Sequence, residues 1–248
     1  MLNKLFSDTR DNIVKKVLGN NAQNFTNKDI TILSNNCIGG IILNHLEQRF
    51  NSPTVNLYFN APDFLKFLER VDYYLAKEIT FSYQSKYEEK IMPYPIGTIE
   101  DIEMHFVHYE SFEDAKDKWE KRSKRINHDN IFVIGSDIGH CTPELIDQFL
   151  SLPYKNKIFF SSKKHPSKNV VFFKEYVNDK EVGDLINADN AWYFHFDTIG
   201  WLNTGKIKRN HTVTFLFNLY RSGRKKYQQL ANSQAKYEKS KAKMEHQH

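Results

Sequence analysis

The chain has 248 residues, 40% apolar and 14% aromatic, and its 19 Phe and 13 Tyr are enough to fill one α/β core. No apolar run approaches the roughly 20 residues of a membrane-spanning helix, MLNKLFSDTR lacks the apolar centre of a secretion signal, and two cysteines without a CxxC spacing exclude a disulfide framework. The net charge of +5 is uneven: residues 206–248 hold 11 Lys or Arg against Glu238 and Glu245, or +9, so residues 1–205 sum to −4. An acidic body argues against general nucleic-acid binding, whereas the basic tail suits anionic lipid, a partner such as a synthase, or a solvated helix. A soluble, cytoplasmic protein is expected.

In chain order, Ser7 caps a predicted leader helix with Ile13, Val14, Val17 and Leu18 inward, ending at Gly19. The stretch DITILSNNCIGG, Asp29 to Gly40, then reads as a first βα turn. Ile30 to Leu33 form a strand apolar enough for burial on both faces, and Gly39 and Gly40 allow the backbone a close approach to a ligand where a helix begins. Free helix N-terminal amides attract anions, although GxGxxG is absent and an Asn-rich helix cap explains the same residues. A second parallel strand is predicted over Val55 to Phe59, with a helix capped by Asn60 that buries Phe64, Leu65, Phe67, Leu68 and Val71.

Residues 76–100 break this rhythm, with a strand at Ile79 to Tyr83, a turn at Pro93 to Gly97 and another strand at Glu103 to Val107. Ser111 caps the next helix with Asp114 at its third position, and Phe112, Ala115, Trp119 and Ile126 form its apolar stripe. Lys118, Arg122 and Arg125 share another face, where they either hold phosphate or complement the helix C-terminus. A third βα unit follows: a strand from Asn130 to Ile134, the loop GSDIGHC, and a helix opened by Thr142, Pro143 and Glu144. Lys157 to Phe160 and Val170 to Phe173 are further strands, Asp184 to Gly205 reads as helix and loop over the sheet, and residues 208–240 as a helix interrupted near Ser222 and Gly223.

Loops that leave parallel strands share one edge, where ligands bind. Four loops are expected there, Ser34 to Gly40, His108 to Ser111, Gly135 to Thr142 and Ser161 to Lys168, and they gather Asn35, Asn36, Cys37, His108, Tyr109, Asp137, His140, Cys141, Lys163, Lys164 and His165. Cys37 with His108 or His140 fits a nucleophile and base, or simple packing. Asp137 fits a base for a sugar hydroxyl, or a turn cap, and SDIG is not a DxD metal motif. Asp137, His140 and Cys141 with His165 have a nonstandard spacing for zinc, so no metal site is assigned. His105 lies within a strand and reads as a core or pleat residue.

The strings SNNCIGG (Ser34 to Gly40), NSPTVNLYF (Asn51 to Phe59), HFVHYESFEDAKDKWEKRSKRIN (His105 to Asn127), LPYKNKIFF and DTIGWLNTG resemble a bacterial family labelled exopolysaccharide biosynthesis proteins, or domain of unknown function 1919. The resemblance covers most of residues 8–205, with Ile38 where the family usually has an aromatic. It implies a role in surface-polysaccharide assembly and marks Asn35, Asn36, Cys37, Trp119, Arg122 and Asn127 as recurring.

Together these readings predict a three-layer, mostly parallel, Rossmann-like α/β domain over residues 1–205 and a basic helical extension over 206–248. The expected function is a glycosyl or acyl transferase acting on a nucleotide-sugar or other activated sugar precursor. Asn35, Asn36 and the Gly39–Gly40 turn would hold sugar or phosphate, with Tyr109, Asn127 and His140 nearby. Asp137 or His108 would be the general base, Cys37 an alternative nucleophile, and Arg122 and Arg125 would neutralise diphosphate. The rival reading is a noncatalytic module that binds a glycan precursor or docks a synthase. No cofactor is indicated.

Overall fold

The computed structural model describes residues 22–183, 185, 192–209 and scattered helical positions between 212 and 233, so the helix expected after Ser7 lies outside the described residues. In chain order the main elements are β1 (Thr31–Ser34), α1 (Ile38–His45), α2 (Ala61–Glu69), α3 (Val71–Leu75), β2 (Thr80–Gln84), β3 (Ile91–Ile99) and β4 (Ile102–His105). Then come α4 (Phe112–Ser123), β5 (Ile131–Ser136), α5 (Pro143–Ser151), β6 (Asn156–Ser161), β7 (Val170–Phe172), α6 (Trp192–His195) and α7 (Thr198–Thr204). The result is a mixed α/β fold with a four-stranded parallel sheet, ordered β1-β5-β6-β7, and a three-stranded antiparallel sheet, β2-β3-β4.

The parallel sheet is apolar on both faces, which is why its strands read as continuous hydrophobic runs. Ile32, Phe132, Ile134, Ile158 and Phe160 turn to one face, in a cluster with Ile38 and Ile42 of α1 and Phe194 and Trp201 of α6 and α7. Leu33, Val133 and Phe159 turn to the other, with Phe64 and Phe67 of α2 and Ile146 and Phe149 of α5. Each such side chain contributes about 1.5–3 kcal/mol on full burial. Two helix starts follow the expected caps, with Ser111 Oγ accepting from Asp114 N at 3.1 Å and Thr142 Oγ1 from Leu145 N at 3.4 Å, whereas Asn60 at the start of α2 makes no side-chain cap bond.

Three expectations need correction. Val55 to Phe59 is not a ladder strand, although the segment lies beside β1. Thr31 Oγ1 donates to Asn51 O at 3.1 Å, Ser34 N to Thr54 Oγ1 at 3.0 Å, and Phe59 N to Asn35 O at 3.0 Å. Pro53 has no N–H to give and Asn56 sits at φ 63°, so the period-2 backbone is broken and two of the three joins use side chains.

Pro93 to Gly97, expected as a turn, lies inside β3, and the sheet it belongs to is antiparallel rather than a continuation of the parallel one. The β2–β3 register shifts between Ser82 and Gln84, which pair with Ile96 and Ile91, so Pro93 and Pro95 fall where no ladder partner is needed. Gly97 is required by packing, since a Cβ there would lie 2.5 Å from Ile79 Cδ1 and 2.7 Å from Phe106 Cε2. Finally, Ser222 and Gly223, the expected interruption of the tail helix, are themselves helical. Among the described residues no helix is long and apolar enough to cross a membrane.

Tyr58, beside the parallel sheet, is joined to β4 of the antiparallel one. Tyr58 and His105 exchange both backbone hydrogen bonds, N–H to O at 2.9 and 2.8 Å, in an isolated antiparallel bridge. The segment that flanks β1 therefore also flanks β4.

Candidate functional site

The loops after β1, β5 and β6 share one edge of the parallel sheet, and their polar side chains largely bind one another. Asn35 Nδ2 donates to Ser136 O at 2.9 Å and Asn35 Oδ1 accepts from Ser136 Oγ at 2.9 Å. Asn36 Nδ2 donates to the same Oγ at 3.1 Å, and Asn36 Oδ1 accepts from Ile38 N. The Asp137 carboxylate is buried and accepts four bonds: Oδ2 from Ser161 Oγ, Ser162 N and Ser162 Oγ at 2.7–3.0 Å, and Oδ1 from Val182 N at 2.7 Å. Asp137 thus ties together the loops after β5 and β6.

Gly39 and Gly40 serve packing of α1, where a Cβ would meet Ser34 Oγ at 2.6 Å or Val55 Cγ1 at 2.9 Å. Cys37 is buried at the N-cap of α1. Burial, then Asp137 and Glu181, push the Cys141 thiol up to about 12, which keeps it protonated at neutral pH. His165 pairs with Asp147 at 3.1 Å, and among the described residues no three His, Cys, Asp or Glu side chains gather as a metal-binding group.

The loop from His108 to Ser111 leaves β4 of the antiparallel sheet instead. His108 is exposed, while Tyr109 is buried, donating from Oη to Val55 O at 2.7 Å and accepting from Arg122 Nη1 at 2.5 Å. Arg122 is buried, Arg125 half-buried, and Asn127 holds Asp29 from the opposite end of the parallel strands, with Nδ2 donating to Asp29 O at 3.0 Å.

A second polar cluster lies elsewhere, around the junction of the sheets, and local sequence pattern does not mark it. Glu103 and His105 alternate with Met104 along β4, so both point to the same face. Each is only 2% exposed. His105 Nε2 lies 2.7 Å from Glu103 Oε1, and the Glu103 carboxylate also accepts from Ser85 Oγ at 2.6 Å and Lys86 N at 2.8 Å. A carboxylate only accepts, so in the neutral imidazole the proton sits on Nε2 and the Nδ1 lone pair faces Tyr94 Oη, 3.4 Å away.

Around this pair stand three half-exposed phenols. Tyr58 and Tyr94 meet the imidazole edge-on, at centroid distances of 5.4 and 5.8 Å, and Tyr87 stacks on exposed His140 at 5.0 Å. Asn60, at the N-cap of α2, makes no side-chain cap bond. Its Oδ1 accepts from Tyr58 Oη at 3.1 Å, and its Nδ2 lies 3.5 Å from His105 Nε2. The loop after β5 closes the cluster through Gly139, whose φ is +61° and whose missing Cβ would sit 1.8 Å from Tyr58 Oη. Gly139 O accepts from Ala61 N at 2.8 Å, and Gly139 N donates to Glu181 Oε2 at 2.9 Å. Beneath, Asp63 Oδ2 accepts from Glu103 N at 2.9 Å and pairs with Lys86 Nζ at 2.7 Å.

The electrostatics separate a charged core from neutral phenols. Burial pushes Glu103 up, but the bonds from His105, Ser85 and the Lys86 amide outweigh it and hold the carboxyl below its usual range. Tyr94 is raised by burial and then by Glu88 and Glu103. Tyr58 is raised by burial, Glu181, Tyr94 and Glu88, and Tyr87 by burial and Asp63. The phenols therefore stay protonated and donate hydrogen bonds, while the carboxylate stays charged behind the imidazole.

The family described as "Domain of unknown function (DUF1919)" matches residues 9–203. A protein of Haemophilus influenzae described as "Uncharacterized protein" is 38% identical over 183 residues, covering 72% of this chain and 86% of its own length.

Proposed function

For this chain, which belongs to the DUF1919 family, we propose a transferase that activates a hydroxyl of a carbohydrate precursor at the Tyr94–His105–Glu103 relay. The observation that carries the reading is the imidazole held between Glu103 at 2.7 Å and a half-exposed phenol at 3.4 Å. An acceptor hydroxyl hydrogen-bonds to Tyr94 Oη. As its oxygen attacks, its proton passes to Tyr94, the Tyr94 proton passes to His105 Nδ1, and Glu103 stabilises the imidazolium. The attacked centre is the acyl carbon or the anomeric carbon of an activated donor, and the donor's leaving group carries off the bonding pair.

Tyr58, Tyr87 and His140 offer ring faces and polar edges of the kind that hold sugar rings, with Lys86, Glu88 and Glu181 within reach of hydroxyls. A nucleotide-sugar or other activated sugar in surface-polysaccharide assembly, used in the cytoplasm, is the substrate class this reading takes from the family resemblance. A Rossmann-like arrangement of the parallel sheet belongs to the same reading. The basic tail, with Phe215, Leu216 and Leu219 exposed, fits a synthase or an anionic membrane surface.

The test is a transfer assay read by mass spectrometry, with nucleotide-sugars and acyl-coenzyme A donors against mono- and oligosaccharide acceptors. A product formed by the wild type and lost in His105→Asn supports the reading. The aromatic shelf also favours a second reading, a noncatalytic glycan-binding module. It predicts no product with any donor, together with oligosaccharide binding that Tyr87→Ala removes.

A further inference from the structure

We propose that Arg49, Arg122 and Arg125 form a binding site for a phosphate-bearing anion, of the mono- or diphosphate class, where α4 meets the segment that follows α1. The assignment stands apart from the relay and needs no catalytic role for His105.

Arg122 sits beside the segment that carries Arg49 and Phe50, and Arg125 follows it just past the end of α4. Arg122 reaches across from α4, and its guanidinium lies 5.3 Å from the ring of Phe50, the residue after Arg49. In that turn the Arg125 amide donates to Arg122 O at 3.0 Å. Arg122 is buried, yet Nη1 finds only neutral acceptors, Val55 O at 3.1 Å and Tyr109 Oη at 2.5 Å. Arg125 Nε is shielded from solvent and has no acceptor. Among the described residues, none of the three forms an ion pair. Lys118, one turn before Arg122 on the same helix, is already neutralised by Asp114 at 2.8 Å.

Proteins pair buried cations, because an uncompensated charge in a desolvated site is strongly destabilising. Burial is the main cause that lowers the Arg125 pKa, and the like charges of Arg49 and Arg122 add to it. A phosphate dianion supplies the missing charge, and the planar fork of arginine matches its oxygens. Exposed Arg49 and half-buried Arg125 would make the contacts. Arg122, held by Val55 and Tyr109, would supply a fixed field beneath them.

The test is the melting temperature of the full chain titrated with orthophosphate and, in parallel, pyrophosphate, at ionic strength held constant with potassium chloride. Arg49→Gln and Arg125→Gln are the variants, singly and together, since Arg122 is too buried to remove without risk to the fold. The expected result is a saturable rise in melting temperature in the wild type. Its half-saturation concentration should climb at least about tenfold in each single variant, and the response should vanish in the double variant. A larger response to pyrophosphate identifies a diphosphate site and a larger response to orthophosphate a monophosphate site. A wild type that responds no more than to chloride, or a double variant that responds like the wild type, would overturn the proposal.

Discussion

Tyr58 and His105 are joined twice, through both backbone hydrogen bonds and through an edge-to-face contact of their rings at 5.4 Å. The pairing welds the antiparallel sheet to the segment flanking the parallel one, and it places the imidazole where the loop after β5 can cover it. Fold and candidate site therefore depend on the same few residues.

Glu103 gives the site a pH signature. Its folded-state pKa lies below the ordinary value of 4.5, so the unfolded chain binds the proton first as pH falls. Its contribution is fully present above about pH 4.5 and is lost as pH falls through the depressed value. Glu103→Gln should flatten this part of the stability profile in urea melts between pH 3 and 6, an interval chosen to bracket the roughly 4.3 of an unperturbed glutamate. An unchanged slope would remove Glu103 as a source of acid sensitivity. Glu103→Ala, which leaves the buried His105 Nε2–H without its acceptor, should cost about 1–3 kcal/mol.

Gly139→Ala combines a left-handed φ with a Cβ 1.8 Å from Tyr58 Oη. The expected loss is about 1–3 kcal/mol or more by denaturant melting, because both the backbone and Tyr58 must move. A variant as stable as the wild type would show that the loop adapts freely.

Asp137 separates a structural role from a catalytic one. Asp137→Asn replaces a carboxylate that accepts four hydrogen bonds with an amide that turns one donor edge toward other donors. Stability should fall by about 1–3 kcal/mol or more. A full-strength fold with abolished turnover would instead return Asp137 to the role of general base.

Ser136 anchors both asparagines of the first loop, through its Oγ and its carbonyl. Ser136→Ala should cost about 1–3 kcal/mol by leaving buried amide groups unsatisfied. A neutral effect would mean that the Asn35 and Asn36 side chains find other partners.

Much of the parallel half of the fold was legible in the sequence. The runs at Ile30 to Leu33, Ile131 to Ile134 and Ile158 to Phe160 are apolar on both faces, and Ser111 and Thr142 mark helix starts. What local pattern could not carry was tertiary. Pro93 and Pro95 signal a turn, but a register shift opposite them lets β3 run through. Val55 to Phe59 has strand composition, but Pro53 and Asn56 deny it a ladder.

The residues of the relay escape a local reading for a related reason. Polar residues at strand ends suggested a ligand edge, yet Asn35, Asn36 and Asp137 are consumed in holding the loops to one another. His105 reads as a core or pleat residue because it lies within a strand, and Glu103 stands out only as the start of that strand. The signal was available in their two-residue spacing, which puts acid and imidazole on one face, but their phenol partners come from segments up to about 50 residues away and no local window contains them.

The most direct measurement compares wild type with Tyr94→Phe and His105→Asn in the transfer assay, at equal folded fraction and with oligosaccharide affinity measured alongside. The relay predicts that both variants lose about 10²- to 10⁴-fold in rate while acceptor binding changes little. Wild-type rates in Tyr94→Phe would contradict it, since that variant lacks only the hydroxyl through which the proton is said to move.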